Sequence, residues 1–271
     1  MKILIAKSPW EVYETPIEIF VERILDEGYD AAEVFLRMRR ESMKEIRRIM
    51  LKTGLPLIAQ IGTHGDVPED HIRSLRANYE QALETEPLFV NSHTGRDWFC
   101  FDDNLRILEA AEELASRHGV PILHETHRGR AFFALHLTVP FLRAIPSLRL
   151  TADIAHWFCV HESGLENQRE SLSFVMDRTR HIHARVGFGE GPQVSDPRNP
   201  HYKPWVERSM ELWWIVLDRA EKAGEKTFAL TPEFGADYTP LKGILPEPVA
   251  DSWEMNSWMH QVLVEQFKKD S

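Results

Sequence analysis

The chain has 271 residues, 43% of them hydrophobic, and a formal net charge of −10. That is enough apolar material to build one large domain, while the acidic balance gives no basic field to hold a polyphosphate backbone and so disfavours nucleic acid as a partner. No stretch approaches the roughly 18 to 20 consecutive apolar residues of a membrane-crossing helix, and a cytoplasmic protein is the expectation.

In chain order, short apolar runs that close on polar residues predict strands. The first is KILIAKS near 2–8, followed by AAEVFLR near 31–37, LPLIAQIG near 55–62 and PLFVNSHTG near 87–95. The second half continues with VPILHETH near 120–127, LRLTADIAH near 148–156, RHIHARVG near 180–187 and KTFALTPEFG near 226–235. Between them lie segments of helical periodicity with charged faces, among them IEIFVERILDEG, SMKEIRRIMLKTG, NLRILEAAEELASRHG and WWIVLDRAEKAGEK. Several of these end on glycine just before the next strand, as helix C-caps do. Eight strands alternating with eight helices, with no break in composition, predict a (β/α)8 TIM barrel that occupies 1–271 as a single domain.

The longest irregular stretch, 187–205, follows the seventh strand and falls on the face where barrel enzymes place their chemistry. Cys100 and Cys159 fit neither a disulfide framework nor a zinc-finger spacing and read as reduced, buried thiols. Trp205, Trp213, Trp214, Trp253 and Trp258 have the spacing of packing residues, against the barrel or a second copy of the chain, which makes a homo-oligomer an expectation. Trp10, just after the first strand, can instead cover a bound substrate.

Side chains two apart on a strand share a face. In the fifth strand Leu123, Glu125 and His127 form one such set; in the sixth Thr151 and Asp153; in the seventh His181, His183 and Arg185; in the eighth Ala229, Thr231 and Glu233. If these sets point inward, Glu125, Asp153, His183 and Glu233 meet at the C-terminal rim, with His181 one layer deeper in the core. Three carboxylates and an imidazole cannot share a water-poor pocket without a cation. The expectation is one divalent metal ion, and oxygen-rich ligation with one histidine favours Mn2+, with Mg2+, Co2+ or Zn2+ as the other ions the donor set can take.

These motifs, Glu125 in HETH, Asp153 and His156 in DIAH, His183 in HIHAR and Glu233 in PEFG, resemble the metal-site motifs of the xylose-isomerase-like barrel superfamily, and HETHRGR resembles a bacterial branch loosely named as sugar phosphate isomerases or epimerases. The resemblance implies that Glu125 and Glu233 bind the metal and act as the acid–base pair of an isomerase or epimerase, moving a proton beside a carbonyl. It also implies that His156 hydrogen-bonds a substrate oxygen. The sequence departs from the ketose epimerases at Ala131, where they carry a glutamate, and at Gly189, where they carry an arginine.

The rim carries its own basic set instead. His127, Arg128 and Arg130 follow the fifth strand, and Arg185 lies beside a ligand. Arginines there favour a planar anion, so the expected substrate is a small anionic polyol, a sugar phosphate or a sugar acid. Lys7 and Glu33 also fall on faces that can point inward; Lys7 is counted among the substrate contacts, with a barrel-floor ion pair as the other reading for both. His64 and His93 close strands three and four, where the resemblance places metal ligands in endonuclease-IV-type members, and His93 is also a candidate substrate contact. An inosose-dehydratase-like lyase and an endonuclease-IV-like zinc phosphodiesterase are the alternatives to the isomerase or epimerase.

Overall fold

The computed structural model describes residues 1–245 and 247–268. Its eight strands are β1 (Lys2–Lys7), β2 (Ala31–Phe35), β3 (Leu57–Gly62), β4 (Val90–His93), β5 (Ile122–Glu125), β6 (Arg149–Ala152), β7 (Thr179–His183) and β8 (Thr227–Thr231). They pair in chain order, all parallel, and β1 closes the barrel against β8 with Leu4 opposite Ala229. This is the expected (β/α)8 barrel, with each strand shorter than its apolar run because the rim residues leave the ladder.

Burial separates the two faces of every strand. Leu4, Ala6, Ala31, Ile58 and Ala229 form a small cluster inside the barrel, with Phe89 packed on it. Ile3, Ile5, Val34, Leu57, Ala59, Val90, Leu150, Ile182 and Leu230 face the other way, into the larger core beneath the surrounding helices. Apolar residues on both faces explain why the strands read as near-continuous hydrophobic runs.

The helices are α1 (Ile17–Asp26), α2 (Met43–Thr53), α3 (Pro68–Leu83), α4 (Phe101–His118), α5 (Leu135–Ala144), α6 (Ile154–His161), α7 (Arg169–Met176), α8 (Lys203–Lys222) and α9 (Ser252–Phe267). Gly54 and Gly119 cap α2 and α4 with φ of +69° and +72°, the left-handed conformation that stops a helix without a Cβ penalty. One helix departs from the expected eightfold alternation. The α6 helix is an extra short turn of chain between β6 and α7; its residues 154–158 are all buried, so it carries no polar face for periodicity to reveal. The thiols also differ from expectation, since Cys100 is exposed and Cys159 only half-buried, both unpaired. Trp213 and Trp253 pack into the core, whereas Trp214 is exposed.

Two long-range ties hold the segment after β8. Gln193, from the loop after β7, accepts from the Gly235 amide at 2.8 Å and donates to its carbonyl at 3.1 Å. On α9, Asn256 accepts from the Phe234 amide at 2.7 Å and donates to its carbonyl at 2.9 Å. Gly235 must be glycine here, because a Cβ would stand 2.4 Å from the ring of Trp10.

The buried outer face of β8 and the exposed loop that follows it should respond differently to truncation. Leu230→Ala is expected to destabilise by about 2–5 kcal/mol, because it opens a cavity between barrel and helices, whereas Ile244→Ala, on a fully exposed side chain, should change stability by less than about 0.5 kcal/mol. Urea unfolding of both variants measures the contrast.

Candidate metal centre

The barrel delivers four buried side chains to one point at its C-terminal rim. Glu125 is the last residue of β5 and His183 the last of β7. Asp153 is the N-cap of α6, its Oδ1 accepting from the Ala155 amide at 3.1 Å, and Glu233 lies two residues past β8. One ligand atom from each of the four lies within 4.8 Å of the other three. His183 Nδ1 is 2.9 Å from Glu233 Oε2 and 3.5 Å from Glu125 Oε2.

The donor set fits a divalent cation. His183 Nδ1 faces two carboxylates yet makes no hydrogen bond with them, a buried nitrogen directed at oxygens without the geometry of a donor and acceptor. Burial and the neighbouring carboxylates of Glu233 and Glu125 push the Asp153 carboxyl up, against the pull of Arg185. Burial alone would lower the His183 imidazole, but Glu233, Glu33 and Glu125 raise it well above its ordinary value. The Glu125 carboxyl is held well below the usual range, despite burial, by His93 and His183. The rise at Asp153 is what crowded like charges produce, and a cation relieves it; the shifts of His183 and Glu125 are those of opposite charges held close.

A ring of polar groups holds the four in place. The Arg185 guanidinium donates to Asp153 Oδ2 through Nη2, which also contacts His156 Nε2 at 2.8 Å. Its Nε and Nη1 are buried without a partner. Asn91 donates to Glu125 Oε2 and to Glu33 Oε1, each at 3.0 Å. His93 Nε2 lies 2.8 Å from Glu125 Oε2, and Gln60 Nε2 reaches the same oxygen at 3.4 Å.

Above this floor is a cavity of about 210 Å³. Glu125 and Glu233 line it, while Asp153 and His183 lie behind them. Arg185, His93, His127, Gln60, Ser8 and Arg39 complete the polar side, and Trp10, Tyr13, Phe35, Met38 and Tyr238 form an apolar wall. Tyr238 lies near two cations, with the guanidinium of the buried Arg185 4.9 Å from its ring centre and that of the exposed Arg128 5.0 Å away.

The structure brings together all four expected ligands and places His93, His127 and Arg185 at the cavity, with His156 behind Arg185. His156 lies in the first turn of α6 rather than in a loop. His127 lies beyond the end of β5, its ring centre 4.7 Å from that of His93 and 3.9 Å from that of His156. Burial and the nearby His93 lower the His127 imidazole to about 3, so it stays neutral. Arg128 reaches the site through Tyr238, and Arg130 is turned to the Thr63 carbonyl at 3.0 Å.

Lys7 corrects the sequence expectation. Leu4 and Ala6 are the inward residues of β1, so Lys7 points outward, where it pairs with Glu11, donates to the Ser8 carbonyl at 2.8 Å and lies over the Trp253 ring. Ser8 lines the cavity in its place. Lys7 nevertheless supports the site at a distance, since its partner Glu11 accepts from Asn256, which clamps the backbone beside Glu233. His64 is exposed and belongs to none of the metal-competent groups among the described residues. Gln60 and Asn91 carried no signal in the sequence beyond strand parity, because an amide inside an apolar run forms no motif, and Tyr238 lies in the loop after β8, where parity does not apply.

No family model and no curated protein sequence matches the chain. Solved structures do share its fold. Endonuclease IV from Thermus thermophilus superposes with a TM-score of 0.62 at 17% identity, covering 97% of this chain and 99% of that one. A sugar phosphate isomerase/epimerase from Parabacteroides distasonis gives 0.63 at 11% identity over 98% and 94%. A xylose isomerase-like TIM barrel protein from Mycobacterium smegmatis, in complex with magnesium, gives 0.58 at 13% over 97% of each chain. The chain thus has the fold of the xylose isomerase-like TIM barrels.

Proposed function

We propose that this protein is a metal-dependent isomerase or epimerase that moves a proton beside a carbonyl in a small, anionic, polyhydroxylated substrate, a sugar phosphate or a sugar acid. The observation that carries this reading is the division of labour among the four ligands: Glu125 and Glu233 border the cavity, whereas Asp153 and His183 lie behind them. Glu125, Asp153, His183 and Glu233 would hold the ion, Mn2+ in the first instance. When bound there it supplies Lewis-acid polarisation of a carbonyl and an adjacent hydroxyl.

Two carboxylates from strands three places apart in the barrel can then serve a substrate in the cavity as base and acid. One removes the proton from carbon and the other returns it, each needing only hydrogen-bond reach. His93, in contact with Glu125, is placed to tune one of the pair. Arg185 presents Nε and Nη1, both buried and unpartnered, for the anionic end of the substrate. The isomerase/epimerase of the same fold in Parabacteroides distasonis supports this choice of reaction class.

A second reading, zinc-dependent phosphodiester hydrolysis, is favoured by the group His93, Glu125 and His127, whose ligand atoms also fall within 4.8 Å of one another. Metal content separates the two. Elemental analysis of protein purified without chelators is expected to give about one Mn, Mg or Co per chain, lost on Asp153→Asn; two or more Zn per chain would select the hydrolase, and no metal even after reconstitution would overturn the four-ligand site.

Solvent-hydrogen exchange into a panel of sugar acids and sugar phosphates, followed by NMR, tests the acid–base pair. Glu125→Gln and Glu233→Gln should each lower the exchange rate by about 10²–10⁴-fold, and an unchanged rate would remove that residue from the proton transfer. For Arg185→Lys, KM for the anionic substrate should rise about tenfold or more with a smaller change in kcat, the loss of a charge-assisted hydrogen bond. An unchanged KM would remove Arg185 from the substrate contact.

A further inference from the structure

Below the four candidate ligands the barrel interior holds a second polar layer, and the proposed reaction uses none of it. Its centre is Glu33, on β2, a carboxylate only 1% exposed and walled in by the barrel. Glu33 Oε1 lies 3.0 Å from His183 Nε2 and 3.0 Å from Asn91 Nδ2. Glu33 Oε2 accepts from the Thr231 hydroxyl at 2.6 Å.

The proton positions in this layer follow from the acceptors. A carboxylate can only accept, so the Thr231 hydroxyl must donate to Glu33, and His181 Nε2, 3.0 Å from Thr231 Oγ1, donates to that hydroxyl. His181 Nδ1 is then left to accept from Thr151 Oγ1 at 3.3 Å. The Asn91 amide has its nitrogen toward both Glu33 and Glu125, since its oxygen would repel both carboxylates. His183 must likewise present an N–H to Glu33 through Nε2. Glu33, His181 and His183 could be grouped as metal ligands by distance alone, but every Glu33 oxygen and both His181 nitrogens already have hydrogen-bond partners.

We infer that Glu33 is a positioning residue for the metal centre: by accepting the Nε2 proton of His183 it fixes the tautomer that turns Nδ1, as a lone-pair donor, toward the point between Glu125 and Glu233. The inference rests on the metal reading proposed above and adds the residue that sets the strength of the site. A carboxylate behind a ligating imidazole orients the ring and makes it a stronger donor, and loss of such a partner typically weakens metal binding by about 10–100-fold. Through Asn91 the same carboxylate is tied to Glu125, so one buried group braces two of the four ligands.

The test titrates metal-free protein with Mn2+ against a fluorescent competitor chelator, comparing wild type with Glu33→Gln and Glu33→Leu. In parallel, long-range 1H–15N correlation on the Zn2+-loaded proteins reads the His183 tautomer. Glu33→Gln keeps the size and an acceptor oxygen, so it preserves folding if the leucine variant does not; it should bind Mn2+ about tenfold more weakly. Glu33→Leu should approach 100-fold weaker and lose the unique Nε2–H tautomer. A role confined to packing would lower the melting temperature while leaving Mn2+ affinity and tautomer unchanged, and that result overturns the inference with the metal site intact. A wild type that binds no ion overturns the metal reading itself, and this inference with it.

Discussion

Three carboxylates and one imidazole converge at the axis of this barrel, with a ligand atom of each within 4.8 Å of the others and none more than 8% exposed. Charges of one sign at that spacing, away from water, repel strongly enough that the surrounding structure must answer them. The answers are visible in what touches each oxygen. Arg185 is laid along Asp153, Asn91 divides its amide protons between Glu125 and Glu33, and His93 and Gln60 converge on the same Glu125 oxygen, Oε2, that Asn91 holds. The polar groups inside the barrel are concentrated in this upper half, while Leu4, Ala6, Ile58 and Ala229 close the lower half with apolar contacts. Stability therefore comes from the floor and the outer ring of helices, which leaves the rim free to hold an arrangement of charges that would not hold itself together.

How much of this the sequence discloses depends on strand parity. Glu125, His183 and Glu233 are legible because each belongs to a set of alternate residues near the end of an otherwise apolar run, and four such sets on neighbouring strands have few meanings. Asp153 is legible for the same reason, although it leaves the sheet to cap α6. Lys7 misleads because a lysine at a strand end looks like a rim residue, while the inward pair Leu4 and Ala6 already assigns it to the opposite face. The α6 helix is invisible for the converse reason, as its first five residues are all buried and show no amphipathic period. Asn91 and Gln60 are uncharged and sit mid-strand, so their contacts to Glu125 emerge only once three strands have been laid side by side.

The cavity has two chemically distinct sides, and the contrast has a structural origin. Its polar side is built from strand ends, which rigid hydrogen-bonded ladders fix in position. Its apolar wall is built from Phe35 at the end of β2 and from the loops after β1, β2 and β8, which bring Trp10, Met38 and Tyr238 over the mouth. A substrate would thus meet fixed charge below and adaptable aromatic surface above, a separation that lets reaction chemistry persist while the loops reshape what fits.

The stretch Glu233–Gly235 joins the two ends of the chain. Trp10 from the first loop lies on Gly235, Gln193 holds that residue's amide and carbonyl, and Asn256 on the last helix holds those of Phe234, while β1 waits for β8 to complete the ladder. During synthesis the first strand therefore leaves the ribosome long before its second neighbour exists. The backbone beside Glu233 gains its clamp from Asn256 only after residue 256 has emerged, when most of the barrel strands have already been made. The segment beside Glu233 thus depends on contacts from β1, the loop after β7 and α9, which are far apart in sequence and slow to bring together.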